Sequence, residues 1–374
     1  MATARSLRPT TSLRTWTDAV RLLIVTNDYP PKPGGIQMYL QSLVDAYPDE
    51  VHVVAPADRK APAAESGVTR GHRRWMLPTK RTRQLVVDAV HDFGPDAILF
   101  GAPHPLTSLG PSLRDEFDIP FGVVNYGAEV TLPAAVPGIK QWLGKTLAAA
   151  DVNFAISRYT EVNVVHLTKK PVVYIGAGVD IDTFVPPANP PENVKPVIGC
   201  VSRFVPRKGQ DRVVEAASLV EDDVQVMLVG KGRTEQRIRK KAEQLGVDVR
   251  FEIDVPWADL AGLYQGMDVF VMPCRSRWGG LEAEGLGLVF LEAAACGVPV
   301  IAGNSGGAPE TVIPGQTGYI ATESKAIAKH LTALLADPQK AAAMGAAGRV
   351  HVESEFTWPR VVERVREGFA PHLR

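Results

Sequence analysis

Short apolar runs alternate with longer amphipathic stretches along nearly the whole chain. The runs are rich in Val, Ile and Leu at successive positions, which is typical of strands buried on both faces of a parallel sheet. The pattern predicts strands at residues 22–26, 51–55, 97–101, 121–125, 152–156 and 172–175, with helices such as 83–93 between them. It predicts further strands at residues 197–201, 224–230, 249–252, 269–272, 298–302 and 318–320. The chain is therefore predicted to be an α/β protein with two doubly wound parallel sheets.

A proline-rich segment separates the two series of strands. Residues 186–191 read Pro-Pro-Ala-Asn-Pro-Pro, which continues neither a helix nor a strand. We predict a tail at residues 1–20, a first domain over 21–187, a second over 188–355, and a C-terminal helix over 356–374 that packs on the first domain. Ligands of such folds bind at the carboxyl ends of the strands, so the loops that follow strands are where we expect the chemistry.

Composition and charge narrow the functional classes. The 374 residues include 41 Lys plus Arg and 41 Asp plus Glu, whereas a protein that coats nucleic acid needs a basic excess. Cys200, Cys274 and Cys296 lie far apart beside apolar runs, so we expect buried thiols and a reducing compartment. The first 20 residues lack the apolar core of a secretory signal, and no run reaches the roughly 18 apolar residues of a membrane span. These features predict a cytoplasmic protein with no nucleic-acid partner.

Two short motifs suggest other chemistry. Residues 303–307 fit the G-x-S-x-G pattern of a hydrolase nucleophile, with Ser305 at its centre, after the predicted strand 298–302. The histidines that follow it lie in helical stretches or in the tail, where they are poorly placed to act as its base. Asp180 and Asp182 form a D-x-D that could hold a divalent cation, although such pairs are common in turns. A Ser305 hydrolase and a non-catalytic nucleotide-sugar binder remain the alternatives from other classes.

Charged residues in the second half form a more coherent set. Arg203 and Lys208 follow strand 197–201 in a loop that opens a helix, and two such cations can hold a diphosphate with help from the helix N-terminus. Glu284 and Glu292 are separated by seven residues that include Gly-Leu-Gly, which predicts Glu284 in a loop and Glu292 in a helix. Carboxylates at these positions can accept hydrogen bonds from sugar hydroxyls.

An ordered series of motifs resembles the retaining glycosyltransferases of family 4, which have the GT-B fold. The series comprises residues 27–31 and 34–37, 157–160, 176–180, 203–210, 284–292, 302–311 and 315–318. The resemblance covers about residues 21–370 and implies two Rossmann-like domains facing a cleft, with C-terminal helices that cross back. The N-terminal domain would take the acceptor and the C-terminal domain the nucleotide sugar. Within the family the chain is similar to actinobacterial GDP-mannose-dependent enzymes that add an alpha-1,6-linked mannose to a phosphatidyl-myo-inositol monomannoside.

The resemblance implies a reaction and a set of site residues. Mannose would pass from GDP-mannose to the glycolipid with retention, with no metal or other cofactor. Arg203 and Lys208 would stabilise the leaving diphosphate, Glu284 would orient mannose hydroxyls, and Glu292 would hold the ribose. The remaining expected contacts are the amides around Gly34, Gly35, Gly306 and Gly307, guanine at Val255, and sugar or acceptor at Gln37 and at Tyr126, which stands where many relatives have histidine. Another nucleotide sugar, or another lipid or soluble acceptor, remains the alternative within the family.

A basic segment in the first half suggests contact with a membrane. Residues 70–83 carry six Lys or Arg, no acid and a Trp-Met-Leu centre. Cations next to anionic lipids and a tryptophan at headgroup depth favour peripheral binding. A solvated basic loop is the other interpretation. We predict docking at the cytoplasmic face of the plasma membrane through Arg70, Arg73, Arg74, Trp75, Lys80, Arg81 and Arg83.

Overall fold

The computed structural model describes residues 19–62, 64–189 and 193–373 of the chain. The strands are β1 Leu22–Val25, β2 Val51–Ala55, β3 Val68–Arg70, β4 Ala97–Phe100, β5 Phe121–Asn125, β6 Val152–Ala155, β7 Val173–Tyr174, β8 Val197–Val201, β9 Gln225–Val229, β10 Asp248–Glu252, β11 Val269–Met272, β12 Val300–Ala302 and β13 Gly318–Ile320. The helices are α1 Gly35–Ala46, α2 Lys80–Phe93, α3 Gly110–Phe117, α4 Ala128–Ala134, α5 Pro137–Ala148, α6 Arg158–Thr168, α7 Gln210–Ala217, α8 Glu235–Leu245, α9 Leu260–Gln265, α10 Leu288–Ala295, α11 Ser324–Leu335, α12 Pro338–Glu355 and α13 Trp358–Phe369.

The strands form two sheets, as the alternation predicts. The first has the order β3-β2-β1-β4-β5-β6-β7 and the second β10-β9-β8-β11-β12-β13. The registered pairs are parallel; Leu22 lies opposite both Val51 and Ala97, for example. Strands β1, β4, β5, β8 and β11 are buried along their whole length. Apolar side chains on both faces are what helices packed on both sides of a sheet require.

The chain divides into two compact units by its internal contacts. One consists of Met1–Val124, Thr146–Phe154 and Glu363–Arg374, and the other of Asn125–Lys145 and Ala155–Val362. In the first unit the ring of Phe369 packs edge-on against Phe154, with ring centroids 5.4 Å apart. The predicted domain boundaries stay predictions. Most of the predicted tail, together with Pro190 and Pro191 of the predicted linker, lies outside the described residues.

Two local features differ from the sequence expectations. Strand β3 is absent from the predicted set because its Val-Thr-Arg sequence is short and half-buried, without an apolar run. Helix α2 begins at Lys80, where Thr79 accepts a hydrogen bond from the Thr82 amide at 3.3 Å, so the C-terminal part of the basic segment is helical.

The three cysteines are free and buried, as predicted. In the described part of the chain no helix is both long and apolar enough to span a bilayer.

Candidate functional site

A buried charge cluster lies at the carboxyl edge of the second sheet. Lys208 and Arg207 belong to a short 3-10 turn, Pro206–Lys208, between β8 and α7, and Glu284 lies in the loop before α10. Both cations bond the same Glu284 oxygen, Oε2: Lys208 Nζ lies 2.8 Å away, and Arg207 donates from Nη1. The three side chains are at most 15% exposed. The structure therefore brings the predicted Lys208 and Glu284 together.

Electrostatics in this cluster favour the charged carboxylate. Burial alone raises the pKa of Glu284, but the adjacent Lys208 and Arg207 outweigh burial and hold that pKa below its ordinary value. The prediction that Glu284 lies in a loop and Glu292 in a helix is confirmed. A buried carboxylate kept ionised is a strong acceptor for hydroxyl groups.

Arg203 is placed differently from its predicted partner. Its side chain is exposed and forms no ion pair within the described residues, whereas Lys208 is buried. The guanidinium that contacts Glu284 belongs to Arg207, which lies within the predicted motif but was not among the expected site residues. In the sequence, the signal that could have identified Arg207 was its position as a cation next to Lys208. The 3-10 turn that brings residues 207 and 208 to one carboxylate cannot be read from the spacing.

The loop after β12 packs against the loop that carries Glu284. The Ser305 hydroxyl accepts the Glu284 backbone N–H at 3.2 Å and lies 3.0 Å from the Ser276 hydroxyl, so Ser305 supports the Glu284 loop. Within the described residues no histidine bonds Ser305, which leaves the hydrolase alternative without a base. A Cβ at Gly306 would overlap the Glu284 carbonyl, and one at Gly307 would overlap the Gly285 carbonyl.

The same loop also caps a helix. Glu310 accepts the backbone N–H groups of Arg158 at 2.7 Å and Tyr159 at 2.8 Å, in the first turn of α6. Ser157 is the side-chain cap of that helix, accepting the Thr160 N–H at 3.1 Å. The family-like sequence at residues 157–160 therefore has a structural role here: it joins α6 to the loop that supports Glu284.

Tyr126 lies next to the Glu284 loop. Its side chain is buried, and its backbone carbonyl would be overlapped by a Cβ on Gly285. Glu129 fixes the turn by accepting the backbone N–H of Tyr126 at 2.5 Å and of Gly127 at 2.8 Å. Tyr126 thus lies at a turn packed against the loop that carries Glu284.

The remaining predicted residues of this unit are Glu292 and Val255. Glu292, in α10, accepts a 2.6 Å hydrogen bond from the buried Tyr264 hydroxyl, and burial raises the pKa of Glu292. Val255 is half-buried in the loop after β10, close in sequence to Ile253 and Trp257, which are 36% and 47% exposed. Within the described part of the chain, neither residue shares a hydrogen bond or ion pair with Glu284, Lys208 or Arg207.

The glycine loop of the first sheet precedes α1. Gly34 is the N-cap at φ 154°, and a Cβ on it would overlap the Gln37 side chain, while a Cβ on Gly35 would meet nothing within 4 Å. The buried Gln37 amide donates to Asp28 Oδ1 at 2.6 Å, and Lys32 Nζ lies 2.8 Å from the same oxygen. Gln37 therefore holds the loop in shape, and the helix start at Gly35 is open.

Only some of the basic residues in the predicted membrane segment are free of internal ion pairs within the described residues. Arg70 forms two-pronged hydrogen bonds with Glu65 and donates to the Pro30 carbonyl at 2.7 Å, and Arg83 pairs with Glu116. The exposed members are Arg73, Arg74, Trp75, Lys80 and Arg81, and the neighbouring Leu77 is 50% exposed. Internal ion pairs thus remove Arg70 and Arg83 from the set of freely exposed charges.

A single amide fixes the exposed loop. Asn27, two residues after β1, donates to the Met76 carbonyl at 2.9 Å and accepts the Met76 N–H at 2.7 Å. Met76 is buried beneath the exposed Trp75 and Leu77. The loop is therefore held from the same strand end that leads into Gly34 and Gly35.

The D-x-D motif is a turn. Asp180 accepts hydrogen bonds from the backbone N–H groups of Asp182 and Thr183, each at 3.1 Å, and from the Thr183 hydroxyl at 2.6 Å. Burial raises the pKa of Asp180, but these bonds outweigh it, and the net shift is downward. No group of three or more His, Cys, Asp or Glu side chains suited to a metal ion occurs among residues 19–62, 64–189 and 193–373.

Comparison with known proteins identifies the family. Residues 33–183 match Glycosyltransferase Family 4, and residues 183–351 match Glycosyl transferases group 1. The chain is 37% identical over 92% of its length, and 96% of the relative, to the GDP-mannose-dependent monoacylated alpha-(1-6)-phosphatidylinositol monomannoside mannosyltransferase of Corynebacterium glutamicum. It is 38% identical over 90% of its length, and 95% of the relative, to the GDP-mannose-dependent alpha-(1-6)-phosphatidylinositol monomannoside mannosyltransferase of Mycolicibacterium smegmatis.

Solved structures agree on the fold. Sucrose-phosphate synthase from Thermosynechococcus elongatus matches with a TM-score of 0.77 at 22% identity over 93% of this chain and 98% of that one. Anabaena HepE in complex with UDP and glucose matches with a TM-score of 0.75 at 20% identity over 94% of this chain and all of that one. The predicted class, α/β with two Rossmann-like domains of the GT-B type, is confirmed.

Proposed function

Because the chain belongs to glycosyltransferase family 4, we propose that it transfers mannose from GDP-mannose to a phosphatidyl-myo-inositol monomannoside, with retention at the anomeric carbon. The observation that carries the proposal is the buried pair of Lys208 and Glu284, 2.8 Å apart, at the carboxyl edge of a Rossmann-like sheet. A cation for a diphosphate and an ionised carboxylate for sugar hydroxyls are what transfer from a nucleotide sugar requires.

The chemistry separates positive and negative charge. The bond between mannose C1 and the diphosphate oxygen breaks, and a new bond forms between C1 and an acceptor hydroxyl oxygen on the same face. The acceptor proton passes to the departing diphosphate oxygen. Lys208, and Arg203 from its exposed position, would stabilise the negative charge on the diphosphate, and such electrostatic stabilisation is usually the largest catalytic contribution. We propose that these side chains replace a divalent cation, and that Glu284 orients the sugar.

The other predicted contacts are likewise divided between the phosphates and the sugar rings of the donor. Open helix amides at Gly35 suit phosphate or sugar oxygens. Glu292 keeps acceptor capacity beyond its Tyr264 bond and suits the ribose. The Gly307 N–H donates to the Glu284 carbonyl at 3.0 Å, so this expected donor contact is already engaged within the protein.

A donor and acceptor screen tests the assignment. Purified protein is given GDP-mannose, GDP-glucose, UDP-glucose and ADP-glucose with phosphatidyl-inositol monomannoside or a soluble mannoside, and the product linkage is read by NMR. We expect transfer from GDP-mannose to the glycolipid, giving an alpha linkage. Transfer only from another nucleotide sugar, or only to the soluble acceptor, would overturn the donor or the acceptor assignment.

Two variants test the residues. Lys208→Ala and Arg203→Ala should each lower kcat by about 10²–10³-fold, the usual effect of removing one preorganised electrostatic contact. Lys329→Ala, which removes an exposed cation of α11 that forms no ion pair within the described residues, is the control and should retain activity. Full activity of Arg203→Ala would remove that residue from the donor site.

We also propose peripheral docking at the cytoplasmic face of the membrane. Arg73, Arg74 and Arg81 supply exposed charge, and the 47% exposed Trp75 suits the headgroup region. Neutralising these three arginines to Gln should weaken co-sedimentation with vesicles containing phosphatidylinositol. Neutralising exposed Lys169, Lys170 and Arg233 changes net charge equally and serves as the control. Equal binding by both triple variants would contradict docking through this loop.

A further inference from the structure

Two cations from one turn share the Glu284 carboxylate. Arg207 Nη1 and Lys208 Nζ both bond Oε2, and all three groups are shielded from water. Charge pairs in such surroundings interact more strongly than at an exposed surface. A buried carboxylate that loses its counter-ions is left uncompensated, so the question is which cation stays on Glu284 when a diphosphate is bound.

The two cations are tethered differently. Lysine carries three donors on a flexible four-carbon stem, and among the described residues Lys208 forms an ion pair only with Glu284. Arg207 also has Glu282 beside it, with Nε 3.9 Å from Oε1, and Glu282 is itself paired with Arg277 at 3.1 Å. Lys208 is therefore the cation free to turn, and Arg207 the one that is held.

The backbone fixes Arg207 from the other side. Its carbonyl accepts the Arg275 N–H at 2.8 Å, which ties the 3-10 turn to the loop after β11. The Glu284 backbone is fixed as well, because its N–H donates to Ser305 and its carbonyl packs against Gly306. Backbone contacts thus hold both Arg207 and Glu284 in place.

We propose that Arg207 is a positioning residue, which holds the Glu284 carboxylate towards the sugar when Lys208 turns to the donor diphosphate. The inference rests on the proposed function, in which Lys208 binds the diphosphate and Glu284 the mannose. Arg207 acts through Glu284 and has no contact of its own with the donor in this scheme. Its loss therefore affects turnover and leaves GDP binding intact.

The charged surroundings of Glu284 give the proposal a pH signature. The titratable groups that face it are Arg207, Lys208 and the thiol of Cys274, whose pKa is raised to about 12 by burial, so that the thiol stays neutral in an assay. Ser305 adds only a hydroxyl and Gly285 only backbone. Burial raises the pKa of Glu284, and without the Arg207 charge less attraction opposes that effect, so this pKa must rise. The acid limb of the pH–rate profile must then move to higher pH.

The experiment compares Arg207→Gln, Arg207→Lys and the control Lys329→Gln, at an exposed position of α11, with the parent chain. Transfer of mannose is measured from pH 4 to 9, and the Kd for GDP by calorimetry. We expect Arg207→Gln to lower kcat about 100-fold, the effect of displacing a group by about 1 Å. Its acid limb should move up while the GDP Kd is unchanged, and Arg207→Lys should restore the limb.

Other outcomes overturn the proposal. An acid limb that does not move in Arg207→Gln would reduce Arg207 to a structural role, and a weaker Kd for GDP would make it a direct donor contact. If Arg207→Gln fails to fold, the kcat of Arg207→Lys decides, since lysine keeps the charge but loses the contact with Glu282. A lower kcat at unchanged GDP Kd supports the proposal, and a kcat equal to that of the parent overturns it. If the parent chain transfers no mannose, the proposed function fails. The pKa of Glu284, read by carboxyl carbon NMR in parent and variant, still tests Arg207.

Discussion

The two glycine pairs of this protein look alike in the sequence and differ in the structure. Gly34 is the N-cap of α1 and Gly35 its first residue, after strand β1 of the first sheet, and Gly306 and Gly307 follow a strand of the second sheet. Around Gly35 there is open space, whereas Cβ atoms at Gly306 and Gly307 would run into backbone carbonyls of the Glu284 loop. The first pair leaves a helix start accessible, and the second brings two backbones together.

The difference shows two separate uses for a missing side chain. At an accessible helix start, glycine lets a ligand approach backbone N–H groups. At a crowded loop it lets one peptide segment approach another, and the ligand is then met by the side chain so supported, here Glu284. A glycine-rich motif therefore predicts close approach without telling whether the partner is a ligand or the protein itself.

Gly306→Ala should have the largest effect on stability. The added Cβ overlaps the Glu284 carbonyl, and φ at Gly306 is 56°, which costs a side chain about 1–2 kcal/mol. With about 1–3 kcal/mol for overpacking, we expect the free energy of unfolding to fall by about 2–5 kcal/mol in urea denaturation. Gly315→Ala, at φ 79° with open space around the Cβ, carries only the backbone cost. Equal losses in both variants would contradict the packing argument.

Gln37→Ala should have an intermediate effect. It removes the buried 2.6 Å hydrogen bond to Asp28 that shapes the Gly34 loop, and a bond to a charged group contributes about 1.5 kcal/mol. The matched control is Gln84→Ala, which removes an exposed Gln–Asp bond of 2.8 Å within α2 and should cost about 0.3 kcal/mol. Urea denaturation of both measures the difference, and similar costs would show that the Gly34 loop does not depend on Gln37.

Glu310→Gln tests the second loop through pH. Burial raises the pKa of Glu310 despite the two N–H groups it accepts, so the folded state binds a proton more tightly than the unfolded state. The stability contribution of this group is complete below the unfolded value of 4.5 and is lost as pH rises through the folded pKa. The unfolding free energy of wild type minus that of Glu310→Gln should therefore fall as pH increases above about 4.5. A difference that grows with pH would reverse the assignment.

Gly35→Ala should have the smallest effect on stability and a clear effect on activity. Its Cβ meets nothing, so the free energy of unfolding should stay within about 0.5 kcal/mol. If the helix start receives donor oxygens, the methyl group hinders their approach and raises KM for GDP-mannose. Gly262→Ala, another open glycine in a helix, is the control. An unchanged KM would remove Gly35 from the donor contacts.

Sequence reasoning predicted the fold well because buried parallel strands are apolar on both faces. Runs such as residues 51–55 and 269–272 coincide with observed strands. Strand β3 was not predicted because three half-buried residues at a sheet edge show no periodic pattern of apolar residues. The positions of Glu284 and Glu292 were predictable since Gly-Leu-Gly interrupts a helix and an apolar run then continues it.

The site was less predictable wherever tertiary contacts decide. The choice of Arg207 over Arg203 as the partner of Glu284 depends on a short 3-10 turn and on a loop about 77 residues away in sequence. The internal role of Arg70 depends on Glu65 and a distant carbonyl, and no local pattern separates it from the exposed Arg73 and Arg74. Spacing identifies candidate charges, and folding selects their partners.

The amide of Asn27 has a mechanical consequence. Its two hydrogen bonds join the Met76 backbone to the end of β1, the next residue is Asp28, and Asp28 holds Gln37 over Gly34. A continuous series of contacts therefore connects the loop of the exposed Trp75 to the start of α1. The surface loop that carries Trp75 and the glycine turn at Gly34 therefore share Asn27 as a common support.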